Sequence, residues 1–148
     1  MDMKIKEKNI PENLVVLKEV KNLGLNNALY ELFEWAKERK IRIHGVPFSI
    51  FPDFPDESTQ ICGLSVRGEN LESCDDIIVK TLDEHLTLSS IHVGPYDNAF
   101  KTYNQIVDFA EDNNYIVSGS TYLVFINNPF YTEKEHLICE VQVTVKKQ

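Results

Sequence analysis

The residue best placed to do chemistry is Glu140, which lies mid-strand between Cys139 and Val141. Alternation puts Leu137, Cys139, Val141, Val143 and Val145 on one wholly apolar face, and Ile138, Glu140, Gln142 and Thr144 on a mixed face. A carboxylate on a partly covered face needs a partner. A ligand cation enclosed by aromatic rings supplies both charge pairing and cation–π contact. The plainer alternative is a solvated glutamate on an open sheet face. Rings are available: Tyr96 and Tyr103 sit one heptad apart, and Trp35, Phe109 and Tyr122 offer further flat apolar surface with hydroxyl or indole donors at some edges. Core packing competes with ligand contact for each of them. It weighs most for Trp35 and Phe109, large rings that suit helix packing, and least for Tyr103.

Other chemistries lack their residues. His44, His85, His92 and His136 show no metal-binding spacing, and His92, beside Gly94-Pro95, reads as a turn-stabilising side chain. The three cysteines, Cys62, Cys74 and Cys139, are odd in number and form no CxxC pair, so buried reduced thiols are expected rather than a disulfide framework or a zinc site. The sequence carries no Ser-His-Asp order, phosphate loop or dinucleotide fingerprint. No metal and no cofactor are expected.

The elements that must position these residues are organised around residues 91–103, where a strand turns sharply into a helix. Gly94 supplies unusual backbone angles, Pro95 fixes φ, and Asp97 can accept hydrogen bonds from the free amides beyond it. Phe100, Tyr103, Val107 and Ala110, with Ile106 beside them, then fall on one face of a helix over 97–113. Upstream, residues 1–11 are polar and carry no predicted element. The pattern predicts a strand over 13–20, a helix over 27–40 capped by Asn26, and strands over 46–51, 59–66, 75–82 and 86–93. After the second helix come strands over 121–126 and 137–145.

The two halves repeat one another. Setting Gly45 against Gly119 also aligns Trp35 with Phe109, Ala36 with Ala110 and Phe51 with Phe125. The expectation is one α+β domain built from a duplicated strand-helix-strand-strand unit, with repeats at about 12–68 and 75–146 and pseudo-two-fold symmetry. An antiparallel sheet would carry two helices on one face, with a central groove between them as the ligand site.

Three segments carry a resemblance. The run His92-Val93-Gly94-Pro95-Tyr96-Asp97 followed by the helical Tyr103, the stretch 115–125 (YIVSGSTYLVF) and the closing 139–145 (CEVQVTV) resemble, in order, the second half of GyrI-like small-molecule-binding domains. These also serve as effector-binding domains of AraC- and MerR-type transcription regulators. The resemblance implies a ligand cleft between the halves and a glutamate, here Glu140, that binds cationic aromatic drugs. It implies a stand-alone binder for flat, apolar, cationic compounds, acting as sensor, sequestering protein or drug-resistance factor. Two alternatives come with it. Some members hydrolyse cyclopropane-bearing alkylating compounds with a glutamate and a tyrosine, so Glu140 as base with Tyr103 or Tyr96 as acid would make a hydrolase. The family's name, which comes from association with DNA gyrase, implies the other: a protein inhibitor of DNA gyrase type, with a protein partner. Haem binding, known in proteins sharing the duplicated architecture, is not expected, because no histidine occupies a clearly buried helical position. Departures from the family pattern are Leu123 for a second glutamate, Gln142 for a tyrosine and Phe109 for tryptophan.

With 148 residues, 43% of them hydrophobic, the chain can bury roughly 70% of its unfolded surface as a single domain. No apolar run approaches a membrane span, and the charged start through Lys8 shows no export signal, so a cytoplasmic location is expected. A formal charge of −8 removes the counterion-release term that drives binding to a phosphate backbone. The chain is therefore expected not to bind duplex DNA at physiological salt. A salt-sensitive mobility shift at micromolar protein would contradict this.

Overall fold

The computed structural model describes residues 4–74 and 76–148. In chain order these form β1 (Lys6–Ile10), β2 (Asn13–Glu19), α1 (Leu25–Glu38), β3 (Arg42–Phe51), β4 (Ile61–Arg67), β5 (Ile77–Leu82), β6 (His85–Val93), α2 (Ala99–Asp112), β7 (Tyr115–Phe125) and β8 (Ile138–Lys147). The described strands make one antiparallel sheet of eight, in the order β1-β6-β8-β7-β3-β4-β2-β5. The fold is α+β, as expected.

Strand register separates the two faces of the sheet. One row of neighbours runs Lys18, Cys62, Ser49, Leu123, Val141, Ser90. This parity faces both helices, because Cys62, Leu123 and Val141 share one core with Ala28, Leu29, Leu32, Ile106 and Ala110. The other parity runs Leu17, Gly63, Phe48, Val124, Glu140, Ile91 across the open face. There Val15, Leu17, Phe48 and Ile50 form a second, smaller cluster. In α1, Ala28, Leu29, Leu32, Trp35 and Ala36 are buried at the i, i+1, i+4, i+7, i+8 positions of one stripe.

Chain length then dictates curvature. β1 and β2 are joined only by residues 11–12, and β5 and β6 only by residues 83–84, yet in each pair the strands lie six places apart in the sheet order. Six strand spacings in a flat sheet would be about 29 Å, whereas three Cα steps reach at most about 11 Å. The sheet must therefore curl until its two ends nearly meet, which makes the open face concave.

Several expectations are corrected. The polar start forms a strand, β1, whose charged residues mark it as an edge. Helix α1 begins at Leu25 with Gly24 at its N-cap and no side-chain cap, so Asn26 is not the cap. A short 3-10 turn, Tyr96–Asn98, precedes α2, whose N-cap is Asn98, again with no side-chain bond, and Asp97 does not serve. The buried stripe of α2 is Ala99, Thr102, Ile106 and Ala110, which leaves Phe100 exposed. Gly45, with φ +72°, does not precede β3 but lies inside it, where the register with β4 shifts between His44 and Phe48. A similar shift between Val117 and Thr121 lets β7 start at Tyr115 rather than at 121. The strand expected over 75–82 begins at Ile77, and Asp75 lies outside the described residues.

Of the six glycines, Gly63 leaves the least room for a side chain. A Cβ there would meet the Phe48 ring at 2.6 Å and the Leu17 side chain at 2.8 Å. Gly63→Ala is expected to cost about 1–3 kcal/mol by overpacking, read as a lowered denaturant midpoint, and to displace the Phe48 ring. An unchanged midpoint would contradict this packing.

Candidate functional site

The concavity holds a cavity of about 220 Å³. Its apolar wall includes Ile10, Val46, Phe48, Leu82 and Val124, and its polar groups are Asn13, Ser65, His85, Tyr122 and Gln142. Every one of the eight strands contributes, which follows from the curl described above. Among the described lining residues none is Asp, Glu, Lys or Arg. Its volume lies below the several hundred Å³ usual for drug-sized ligands, so it suits a small molecule or one ring system of a larger one.

The expected site residues divide between the two faces. Glu140 and Tyr122 lie on the concave face, while Tyr96, Tyr103, Trp35 and Phe109 pack against the helix-side core. The inter-helix groove therefore does not collect the set, and the reason is parity. The helices cover the apolar face of β8, so its polar face must point away from them. Tyr103 packs edge-on against Phe54 at 4.8 Å, and Phe54 in turn packs on Phe51. Trp35 is buried, donates from Nε1 to Cys74 Sγ at 3.0 Å, and carries the Arg39 guanidinium over its ring at 4.7 Å. Tyr96 stacks on Phe125 at 4.9 Å, and its hydroxyl is buried with no hydrogen-bond partner among the described residues. Burial pushes the phenols of Tyr96, Tyr103 and Tyr122 up. Glu140 and Tyr103, on opposite sides of the sheet, cannot hold one water between them.

Glu140 does have a partner within the chain, and it is one that sequence reasoning missed. Lys8 Nζ donates to Glu140 Oε2 at 2.6 Å, and Gln142 Nε2 donates to Oε1 at 2.7 Å. The carboxylate side chain is 12% exposed, against 41% for Lys8. The alternation of Lys6, Lys8 and Ile10 was the available signal, but a short charged edge strand resembles a polar tail. His85 was also missed. Its ring stacks on Tyr122 at 5.1 Å, its Nδ1 donates to the Asp83 carbonyl at 2.9 Å, and its Nε2 is buried without a partner among the described residues. Tyr122 also packs on Phe48 at 6.2 Å, so it is the aromatic wall of the cavity.

His92 and the buried cysteines serve the structure. His92 is buried, donating from Nε2 to the Pro95 carbonyl at 3.0 Å and meeting the Thr102 hydroxyl through Nδ1 at 3.2 Å, which ties β6 to α2 as the turn required. All three cysteines are free, and burial pushes the thiols of Cys62 and Cys139 up to about 12, which keeps them protonated and inert. No cluster of three or more His, Cys, Asp or Glu suited to a metal ion occurs among the described residues. Nor is any helix among them long and apolar enough to cross a membrane.

Because the Tyr96 hydroxyl has no partner, Tyr96→Phe removes an unsatisfied buried group while keeping the ring. It is expected to leave the melting temperature unchanged or to raise stability by about 1 kcal/mol. A clear loss of stability would mean that the hydroxyl is bonded in solution.

Comparison with known proteins agrees with this geometry at the level of the fold. The chain superimposes on the C-terminal domain of EcmrR with a TM-score of 0.79 at 18% identity, covering 100% of both chains. It matches the full EcmrR chain in a DNA complex with a TM-score of 0.82 at 17% identity, spanning 98% of this chain and 58% of that one. A hydrolase from Listeria innocua aligns with a TM-score of 0.70 at 14% identity over 97% of this chain and 92% of that one. SAV2435, solved bound to tetraphenylphosphonium, aligns with a TM-score of 0.55 at 13% identity, covering 97% and 94%. No curated protein matches in sequence. The match to the GyrI-like small molecule binding domain runs over residues 1–146, so the chain belongs to that family.

Proposed function

We propose that this chain is a stand-alone binding protein for small, flat, apolar molecules, cations among them, seated in the concave pocket of the sheet rather than between the helices. Sensing, sequestration or drug resistance in the cytoplasm is the role this reading assigns. The observation that carries it is the cavity to which all eight strands contribute, walled by Phe48 and Tyr122, with Glu140 next along β8 from Gln142. A tetraphenylphosphonium complex of a protein of similar fold adds support for a lipophilic cation. The binding reading is preferred to the hydrolytic one because Glu140 and Tyr103 face opposite sides.

The reading treats the domain as a duplication. β2-α1-β3-β4 and β6-α2-β7-β8 occupy the sheet in mirrored order about the β3–β7 junction, and each carries its register shift near the aligned glycines, Gly45 and Gly119. The preceding strands are exchanged: β1 pairs with β6, and β5 with β2. The pocket then lies on the approximate two-fold axis.

The test measures affinity for a rhodamine ester on wild type, Glu140→Gln, Tyr122→Ala and Tyr103→Phe, with hydrolysis of a cyclopropane substrate assayed alongside. Glu140→Gln is expected to weaken binding about ten- to a hundredfold, Tyr122→Ala to weaken it about tenfold, and Tyr103→Phe to leave it within about twofold. Binding lost in Tyr103→Phe but kept in Tyr122→Ala would return the site to the inter-helix side. Wild-type hydrolysis abolished in Tyr103→Phe would make the chain an enzyme.

A further inference from the structure

Glu140 is the carboxylate that β8 presents on the concave face, and its charge is already taken. Lys8 Nζ sits on Oε2 at 2.6 Å and Gln142 Nε2 on Oε1 at 2.7 Å, with the carboxylate largely buried. Such a charge-assisted contact is strong where water is sparse. A second cation brought to the same carboxylate would meet the Lys8 ammonium across a few ångströms of low-dielectric space, where like charges repel strongly.

The two partners differ in how easily they can withdraw. The Lys8 side chain is 41% exposed, flexible, and set on an edge strand, so its ammonium can swing into water. The backbone of β1 does not depend on it. That strand keeps its ladder to β6, the Thr87 hydroxyl donates to the Lys8 carbonyl at 3.1 Å, and the Ser90 hydroxyl donates to the Lys4 carbonyl at 2.9 Å. Glu7, on the other side of the strand, accepts from the Tyr115 hydroxyl at 2.6 Å and meets Lys147 at 3.2 Å. Gln142 is buried and stays.

We infer that Lys8 is a tethered competitor for the ligand's positive charge: it occupies Glu140 in the empty site and must be displaced by a cationic ligand, so it sets the site's preference between charged and uncharged flat molecules. This rests on the binding reading above. Uncharged rings enter the cavity without disturbing the pair, because no formal charge lines the cavity itself. A permanent cation gains Glu140 only after Lys8 has left. Lys8 is thus a specificity-determining residue, and its removal makes the pocket more selective for cations.

The test uses N-methylacridinium and acridine, flat rings of nearly the same shape with and without a permanent charge, at a pH where acridine is neutral. Lys8→Met is expected to bind N-methylacridinium about tenfold more tightly than wild type, with acridine unchanged within about twofold. Lys8→Arg keeps the competing charge and is expected to retain the wild-type ratio. A double-mutant cycle of Lys8→Met and Glu140→Gln on the unfolding midpoint, which needs no ligand, is expected to show favourable coupling. An unchanged acridinium-to-acridine ratio in Lys8→Met, or zero coupling in the cycle, overturns the inference while leaving the binding reading in place. Binding of neither probe to any variant overturns the binding reading and the inference together.

Discussion

Two connections, residues 11–12 and 83–84, hold together strands that belong to opposite ends of one eight-stranded sheet. Nothing in the backbone ladder demands a concave sheet, but a chain that must reach from β1 to β2 in three Cα steps cannot leave the sheet flat. The curl converts an open sheet face into a walled cavity and brings Ile10, Asn13, Leu82 and His85 from the sheet ends to the lips of that cavity. At one free edge, β1 carries lysines that discourage further strand pairing. Curvature and cavity thus share one cause.

The same geometry separates two kinds of burial. On the helix side the interior is apolar and continuous, with His92 held between Pro95 and Thr102 and Trp35 on Cys74, while the Tyr96 hydroxyl has no partner among the described residues. Lys18 is buried there as well, with its ammonium on Asp76 and Glu31. Burial lowers its affinity for a proton, but the hydrogen bonds it donates to those carboxylates outweigh this and raise it. On the concave side the apolar patch is small and the polar groups are not all satisfied, His85 Nε2 being the clearest case. A face that folding alone leaves under-satisfied is where a ligand's contacts have most to add. On the proposed reading, the ligand uses what the sheet exposes by curling rather than a gap between helices.

Glu140 shows how far a sequence can carry a charge argument. Alternation along β8 placed it on the mixed face, but the expected groove between the helices put it on the wrong side, since the helices cover the apolar face and Glu140 points away from them. Its neutralisation by Lys8, 132 positions away in the chain, has no local signature. The aromatic set divided for a related reason. A tyrosine on an amphipathic helix looks the same whether it meets a ligand or Phe54, because helical periodicity reports a face and not what lies against it.

By itself the sequence determined the α+β class, both helices, the existence of seven of the eight strands, though β7 starts six residues before its expected bound, the Gly94-Pro95 turn with its supporting His92, the reduced cysteines and the parity of Glu140. These are local or periodic properties, fixed by residues near one another in the chain. Tertiary structure alone decided that the charged start is a strand, that Gly45 lies inside a strand at a register shift, that the cavity lies on the face opposite the helices, and that Lys8 holds Glu140. Each of these depends on which strands become neighbours. That choice is made by non-local pairing and by the reach of two short connections, and no window of sequence contains both partners.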